Sequence, residues 1–483
     1  MQKLNWWKAV CAACVFCAAA ALNGRAQTYT TLANFGGPNG INPLSTLVQG
    51  TDGNFYGTTF GGGPTDIGGG TVYRLTPGGT LTTIYRFCPK SKGGSDCPDG
   101  YEPWAGLVLG SDESLYGTTL GGGANGDGAV FKITQTGALT VLHSFAGADG
   151  FAPAAALVQG SDGNFYGTTT GGGAGNSGTV FRIAPTGELT TLHNFNGLDG
   201  YNSQAPLIQG TDGNFYGTTV NGGLGGGYYC SNFSCGTVFK MTPQGSLTTL
   251  HQFCAEPNCS DGALPSAGLV EASNGSFSGA TVSGGEYSND CEFGCGTVFK
   301  ISSAGALTTL HDCNIGDCAD TVSALTLATD GNFYDTSAAG GEQGTIFEVA
   351  PPGRVNDLWN FEPDSACNPR AGLLQATDGT FYGTTTAGSN FNPYGSAFSF
   401  SVGLGPFVTT LPTSRAVGQR VAILGNNLTG ATSVTFNGVP ATFSVLLETE
   451  ISTTVPTGAT TGPVQVLTPS GTLTSNVPFR VTQ

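Results

Sequence analysis

Residues 155–195 read AALVQGSDGNFYGTTTGGGAGNSGTVFRIAPTGELTTLHNF, and this stretch decides the fold. Its runs ALVQ, NFYGTT, TVFRI and LTTLHNF are rich in β-branched and aromatic residues. Gly, Asp, Asn and Pro punctuate them, so they read as four short strands, here a, b, c and d. The phrase DGNFYGTT within it recurs as variants beginning at Asp52, Asp112, Asp162, Asp212, Asn274, Asp330 and Asp378. Spacings of 48 to 62 residues suit four strands plus turns. Asp-Gly at the a–b connection supplies the left-handed position of a tight hairpin, so these aspartates are turn residues first.

Counting strand types predicts how the repeats close. Strand c occurs seven times, beginning at Thr71, Ala129, Thr179, Thr237, Thr297, Thr345 and Ser396. Strand d also occurs seven times, but its first copy, YTTLANF from Tyr29, precedes every strand a, and none follows the last strand c. The N-terminal strand is therefore expected to complete the last repeat, leaving no open edge. The expectation is an all-β chain: a seven-bladed β-propeller closed by its N-terminal strand, followed by an immunoglobulin-like β-sandwich.

The phrase, followed by GTVFKITPxGxLTTLHxF, resembles the Gloeobacter/Verrucomicrobium tandem repeat family of exported bacterial proteins over roughly residues 28–402. A looser similarity is to the sensor propellers of two-component regulators. After Gly403–Pro406, residues 407–483 lack cysteine and the repeat phrase. Gly425-Asn426-Asn427-Leu428, Val434–Gly438, and Val455-Pro456 with Gly458 and Gly462 resemble the IPT/TIG domain, which implies a small sandwich used as a spacer. The domains read as 1–26 signal, 27–402 propeller, 403–406 linker and 407–483 IPT/TIG.

Lys3 and Lys8, an apolar run from Ala9 to Leu22, and Gly24-Arg25-Ala26 form a secretory signal pattern. The run is short for a membrane span. An exported, secreted or surface protein is expected, with no membrane insertion after cleavage. With 32 acidic against 16 basic residues and a formal charge of −16, nucleic acid is excluded as a partner.

Of 14 cysteines, Cys11, Cys14 and Cys17 fall in the signal segment, and ten of the other 11 form close pairs: Cys88 with Cys97, Cys230 with Cys235, Cys254 with Cys259, Cys291 with Cys295, and Cys313 with Cys318. In an exported chain these read as local disulfides, with pairing between neighbouring loops left open. Cys367 is left over, free or cross-linked to another chain. His143, His193, His251 and His311 share one slot in strand d, filled by Tyr85 and Trp359 elsewhere, so they are expected on separate blades. No catalytic set, metal site or cofactor is expected; calcium is not indicated.

In such a meander the a–b and c–d turns lie on one face, and the long b–c and d–a insertions lie on the other, where binding is expected. Candidate ligand residues there are Tyr101, Trp104, Tyr228, Tyr229, Phe233, Tyr287, Asp290, Glu292 and Phe293, aromatic platforms and acids suited to sugars or peptides. Packing within their own loops is the alternative role. Asp99, Asp149 and Asp199, with Asp261 and Asp320 in comparable positions, read either as turn residues or as a ring of acids for a cation or sugar hydroxyls. The reading is a non-enzymatic module recognising an extracellular glycan or protein. The alternatives are a carbohydrate-active enzyme, lyase or glycosidase, on the same face, or a structural envelope component.

Overall fold

The computed structural model describes residues 27–63, 68–89, 96–223, 235–286, 291, 293–362, 366–388 and 393–482. Residues 1–26, read from the sequence as a signal segment, lie outside them. From Thr28 to Ser401 the described residues form seven four-stranded antiparallel sheets, each in the order a-b-c-d. In the first, a is Val48–Gln49, b is Phe55–Thr59, c is Thr71–Leu75 and d is Leu81–Arg86. Strands b and c are buried almost throughout, whereas d alternates half-buried with exposed residues, as an outer strand should.

The seventh sheet takes its outer strand from the N-terminus. Thr28–Asn34 pairs antiparallel with Ser396–Ser401, from Thr28 against Ser401 to Asn34 against Ser396. A one-residue bulge falls between Thr31 and Ala33. Between strands c and d of the third sheet the same shift falls at Val180/Phe181, which matches Ala397/Phe398 of the seventh. The N-terminal strand is thus a true strand d, in register.

Each residue of the repeated phrase has a mechanical task. In Asp162–Thr169, the Asp162 carboxylate accepts from the Asn164 backbone N–H (3.1 Å) and from the Tyr166 hydroxyl (3.0 Å), which fixes the turn to strand b. The Tyr166 ring stacks on Phe215 of the next sheet at 4.0 Å. Tyr116–Phe165, Tyr216–Phe277 and Tyr334–Phe381 repeat the contact, and Tyr382–Phe55 closes the ring at 4.1 Å. Ser278 stands where the fifth copy would have Tyr. The glycine after Tyr leaves room for strand c: a Cβ on Gly117 would lie 2.6 Å from Cζ of Phe131.

A second set of junctions uses side-chain amides. The backbone N–H groups of Ser111, Ser161, Thr329 and Thr377 donate to Gln159, Gln209, Gln375 and Gln49, the second residue of strand a in the following sheet. Thr211 N–H donates to Glu271 in the same way. The bond from Thr377 to Gln49 joins the seventh sheet to the first.

The C-terminal unit is a sandwich of two four-stranded sheets, one containing Arg420–Leu424 and Glu450–Thr454, the other Ser433–Phe436 and Val464–Thr468. Val421, Ile423, Val434, Phe436, Ile451, Val464 and Val466 form its core. The sandwich lies against the a–b turns of the propeller. Thr449 Oγ1 donates to the Thr51 carbonyl (2.7 Å), Asn426 Nδ2 to Thr377 Oγ1 (2.9 Å), and Arg480 Nη1 to the Gly210 carbonyl (3.2 Å). Arg420 pairs with Glu113 at 3.1 Å, and Leu411 and Leu424 join a core cluster of the first two sheets. The linker carbonyls of Leu404 and Gly405 pack over Gly379. Turns of the first, second, fourth and seventh sheets are held, so the sandwich sits over the axis on the uniform face.

Candidate functional site: the axial cup

Strand a is the innermost strand, and the residues leading into it alternate in direction. Ser45, Ala105, Ala155, Ala205, Ala267, Ser323 and Ala371 are buried against the blades, with Ser45, Ala105 and Ser323 also touching the axial cavity. Their backbone is clamped from the preceding blade: Thr58, Thr118, Thr218 and Thr336 hydroxyls donate to the carbonyls of Ala105, Ala155, Ala267 and Ala371. The alternate positions face the axis and line a cavity of about 500 Å³. All seven sheets contribute.

The wall has two tiers of different character. The tier nearest the d–a connections is Leu44, Trp104, Ala154, Gln204, Ser266, Val322 and Arg370, seven different residues at seven equivalent positions. The next is Thr46, Gly106, Ala156, Pro206, Gly268, Ala324 and Gly372, where small size is needed. A Cβ on Gly268 would lie 3.0 Å from Pro206 and 3.1 Å from Ala324, and one on Gly372 would lie 2.8 Å from Thr46 Oγ1. The cavity is therefore a cup that opens on the long-loop face and narrows along the axis towards the sandwich.

Among the described residues Arg370 is the one charged residue lining the cup. Its Nε donates to Asn368 Oδ1 at 3.1 Å, and its Nη2 lies 3.7 Å from Asp320 Oδ2, a loose pair with a half-exposed guanidinium. Burial pushes the Asp320 carboxyl above its ordinary range, with Arg370 only partly opposing it. Trp104 is 40% exposed and held edge-on by Phe60 at 5.5 Å. Ser266 Oγ is buried without a hydrogen-bond partner among the described residues.

The candidate residues are dispersed. Trp104 lines the cup. Tyr101 instead packs over Gly121, with which its backbone is bridged, and Phe293 lies outside the cup. Tyr228, Tyr229, Phe233, Tyr287, Asp290 and Glu292 lie outside the described residues. The sequence reading did not identify Arg370, Gln204 and Ser266. Aligning the repeats position by position signals them, because their slot varies while the flanking alanine persists.

The histidines are on separate blades, yet each meets a carboxylate. His143, His193, His251 and His311 Nε2 lie 2.7–3.0 Å from Asp149, Asp199, Asp261 and Asp317, and Tyr85 donates to Asp99. The partner of His311 is Asp317 and not Asp320, which pairs with Arg370. Asp149, Asp199 and Asp317 also accept backbone N–H groups from Ala146, Asn196 and Asn314, so the pairs brace the d–a turns. Burial would raise Asp317, but His311 and the N–H groups of Asn314 and Cys318 outweigh it and hold its carboxyl below the ordinary range.

Cys88–Cys97, Cys254–Cys259, Cys291–Cys295 and Cys313–Cys318 are disulfides, all local. Cys235 is also disulfide-bonded; Cys230 lies outside the described residues. Cys367 sits in a two-residue strand paired with Ala387–Gly388. Two groups, Cys235/Cys254/Cys259 and His311/Asp317/Cys318, are close enough for a metal ion, but their sulfurs are oxidised and offer no thiolate.

The Gloeobacter/Verrucomicrobia repeat model matches residues 94–291 and 288–438, and the IPT/TIG domain model matches 406–481. The repeat sheets themselves end at Ser401, so the second match runs on into the sandwich. No curated protein matches the chain. Among solved structures, virginiamycin B lyase from Staphylococcus aureus superposes with a TM-score of 0.53 at 14% identity, over 78% of this chain and 99% of that one. An aldose sugar dehydrogenase from Streptomyces coelicolor gives a TM-score of 0.40 at 12% identity, over 78% and 99%. The first shows the propeller fold alone, and the second carries no argument.

Proposed function

The chain belongs to the Gloeobacter/Verrucomicrobia repeat family, and we propose that it is an exported binding module whose axial cup receives an extracellular glycan or protein segment. The observation that carries this reading is the upper tier of the cup, where the repeat gives up its uniformity at one position in all seven blades. Slots set by packing keep to a narrow range of small residues, as the neighbouring Ala/Ser slot and the lower tier do, whereas the upper tier runs from alanine to arginine and tryptophan. The sandwich covers the opposite face and leaves the long-loop face as the place of access. Four local disulfides fit an oxidising compartment, and no helix of the described residues is long and apolar enough to cross a membrane.

The cup offers an aromatic platform, a cation and a few hydroxyl and amide groups, in a volume suited to a small ligand or the end of a chain. Purified full-length protein screened against glycan and peptide panels is expected to yield hits that weaken about tenfold or more in Trp104→Ala, the loss of one aromatic contact. Hits whose affinity is the same in Trp104→Ala and Gln204→Ala would place binding away from the cup. Product released from a polysaccharide panel would favour a carbohydrate-active enzyme instead.

A further inference from the structure

We propose that the cup selects a saccharide end bearing a single carboxylate, a terminal uronic acid, with the carboxylate on the Arg370 guanidinium and the sugar ring on the face of Trp104. This rests on the cup being the ligand site. Three features of the wall carry it.

The first is the state of Arg370. A guanidinium presents a planar fork that matches a carboxylate through two parallel hydrogen bonds. Asn368 Oδ1 takes Nε and so orients the plane, while Asp320 stands 3.7 Å from Nη2, beyond hydrogen-bond length. Among the described residues the terminal nitrogens make no hydrogen bond, and the side chain is 43% exposed. Asp320 keeps the cation in place without occupying its fork. Among the described residues no carboxylate lines the cup to compete for the guanidinium from inside.

The second is the rest of the upper tier. Trp104 is exposed on one side and fixed on another by Phe60, so it offers a preformed apolar surface to the C–H face of a pyranose ring. Gln204 lines the wall on another blade, where its Nε2 donates to Asn202 Oδ1 at 3.0 Å and its amide oxygen is left to accept from a sugar hydroxyl. An aromatic face beside hydroxyl- and amide-matching groups and a cation suits a polyhydroxylated ring that carries a carboxylate.

The third is charge. With 32 acids against 16 basic residues the molecule repels a polyanion, so a run of uronates is disfavoured. One terminal carboxylate meets the local field of Arg370 inside a screening length and escapes most of that repulsion.

Calorimetric titration of the full-length protein with three probes tests the inference. They are a trisaccharide whose only charge is a terminal glucuronic acid, the same trisaccharide with that carboxylate reduced to the alcohol, and a tripeptide with a free C-terminal carboxylate. The acidic trisaccharide is expected to bind about tenfold tighter than its neutral analogue. Arg370→Gln should erase that preference and leave the neutral analogue unchanged. Arg370→Lys, which keeps the charge but not the fork, should restore only part of it, and Trp104→Ala should weaken both sugars. Equal binding of the two sugars, with Trp104→Ala weakening both, overturns the uronate inference and leaves the cup as a ligand site. Binding of the tripeptide alone overturns it in favour of a peptide ligand, and binding of none of the three overturns it outright. Unchanged thermal melting of each variant shows that a loss is not unfolding.

Discussion

Asp335 replaces the glycine that six of the seven repeats place after their second aromatic-strand residue. In those repeats the missing side chain makes room for the strand c aromatic ring; here a fully buried carboxyl takes that space. One oxygen accepts from Ser323 Oγ at 2.7 Å, and the other has no partner among the described residues. Burial pushes its pKa up to about 8, against the opposing hydrogen bonds from Ser323 and the Thr336 N–H. The folded protein therefore holds Asp335 protonated at neutral pH, whereas the unfolded chain ionises near pH 3.9. Folding stability through this group is fully present below about pH 4 and declines by about 1.4 kcal/mol per pH unit until about pH 8, the folded pKa. Replacing the pair by that of the other repeats, Asp335→Gly with Ser323→Ala, should leave stability at pH 4 little changed and raise it by up to ~4 kcal/mol at pH 7. Thermal melts at both pH values check this. A gain that is the same at both would refute a titration origin.

At the scale of elements, the repeat was legible because each strand carries a chemical signature: the turn Asp, the Phe-Tyr pair, the β-branched strand c. Strand d could even be recognised when it stood alone at Tyr29. The Tyr29 ring stacks on Trp359 at 4.9 Å and on Phe398 at 5.3 Å, so it ties the sixth sheet to the seventh. Tyr29→Ala should cost about 2–4 kcal/mol, visible as a lowered urea midpoint, whereas a strand that merely lies on the surface would lose almost nothing. The cysteine pairs were legible from proximity, but their connectivity was not, since neighbouring loops are also within reach. Peptide mapping without reduction should recover Cys88–Cys97, Cys254–Cys259 and Cys313–Cys318 as intra-loop links. Replacing both cysteines of one pair by serine should cost about 2 kcal/mol, because each closed loop is short. What the sequence hid was the task of a recurring side chain: Gln49, Gln159, Gln209 and Gln375 share one slot, but their bonds to the adjacent blade exist only once the ring has formed.

For the whole molecule, the contact between propeller and sandwich was illegible in advance. Thr449, Asn426, Arg420 and Arg480 are isolated polar residues on different loops, and nothing periodic joins them until the sandwich is folded. The cup was hidden for a related reason, since its lining draws one or a few residues from each blade across more than half of the chain. A built Cβ on Gly53 lies 3.6 Å from Cβ of Thr449, within the span of a disulfide. Gly53→Cys with Thr449→Cys should therefore cross-link on oxidation, with a faster band on a non-reducing gel and no change in the small-angle scattering profile. A sandwich that swings freely would give an expanded profile for the uncross-linked chain. The pairing of Thr28 with Ser401 sets a final condition on how this molecule comes into being. Made from the N-terminus onwards, the chain presents a strand whose hydrogen-bond partner is synthesised only after six other sheets, so every blade can assemble while the first and last wait for each other. A chain halted before residue 396 lacks the strand that pairs with Thr28–Asn34, so its seventh sheet is left open. Synthesis is thereby proof-read by geometry, and only a finished polypeptide has a closed wall on which a ligand can settle.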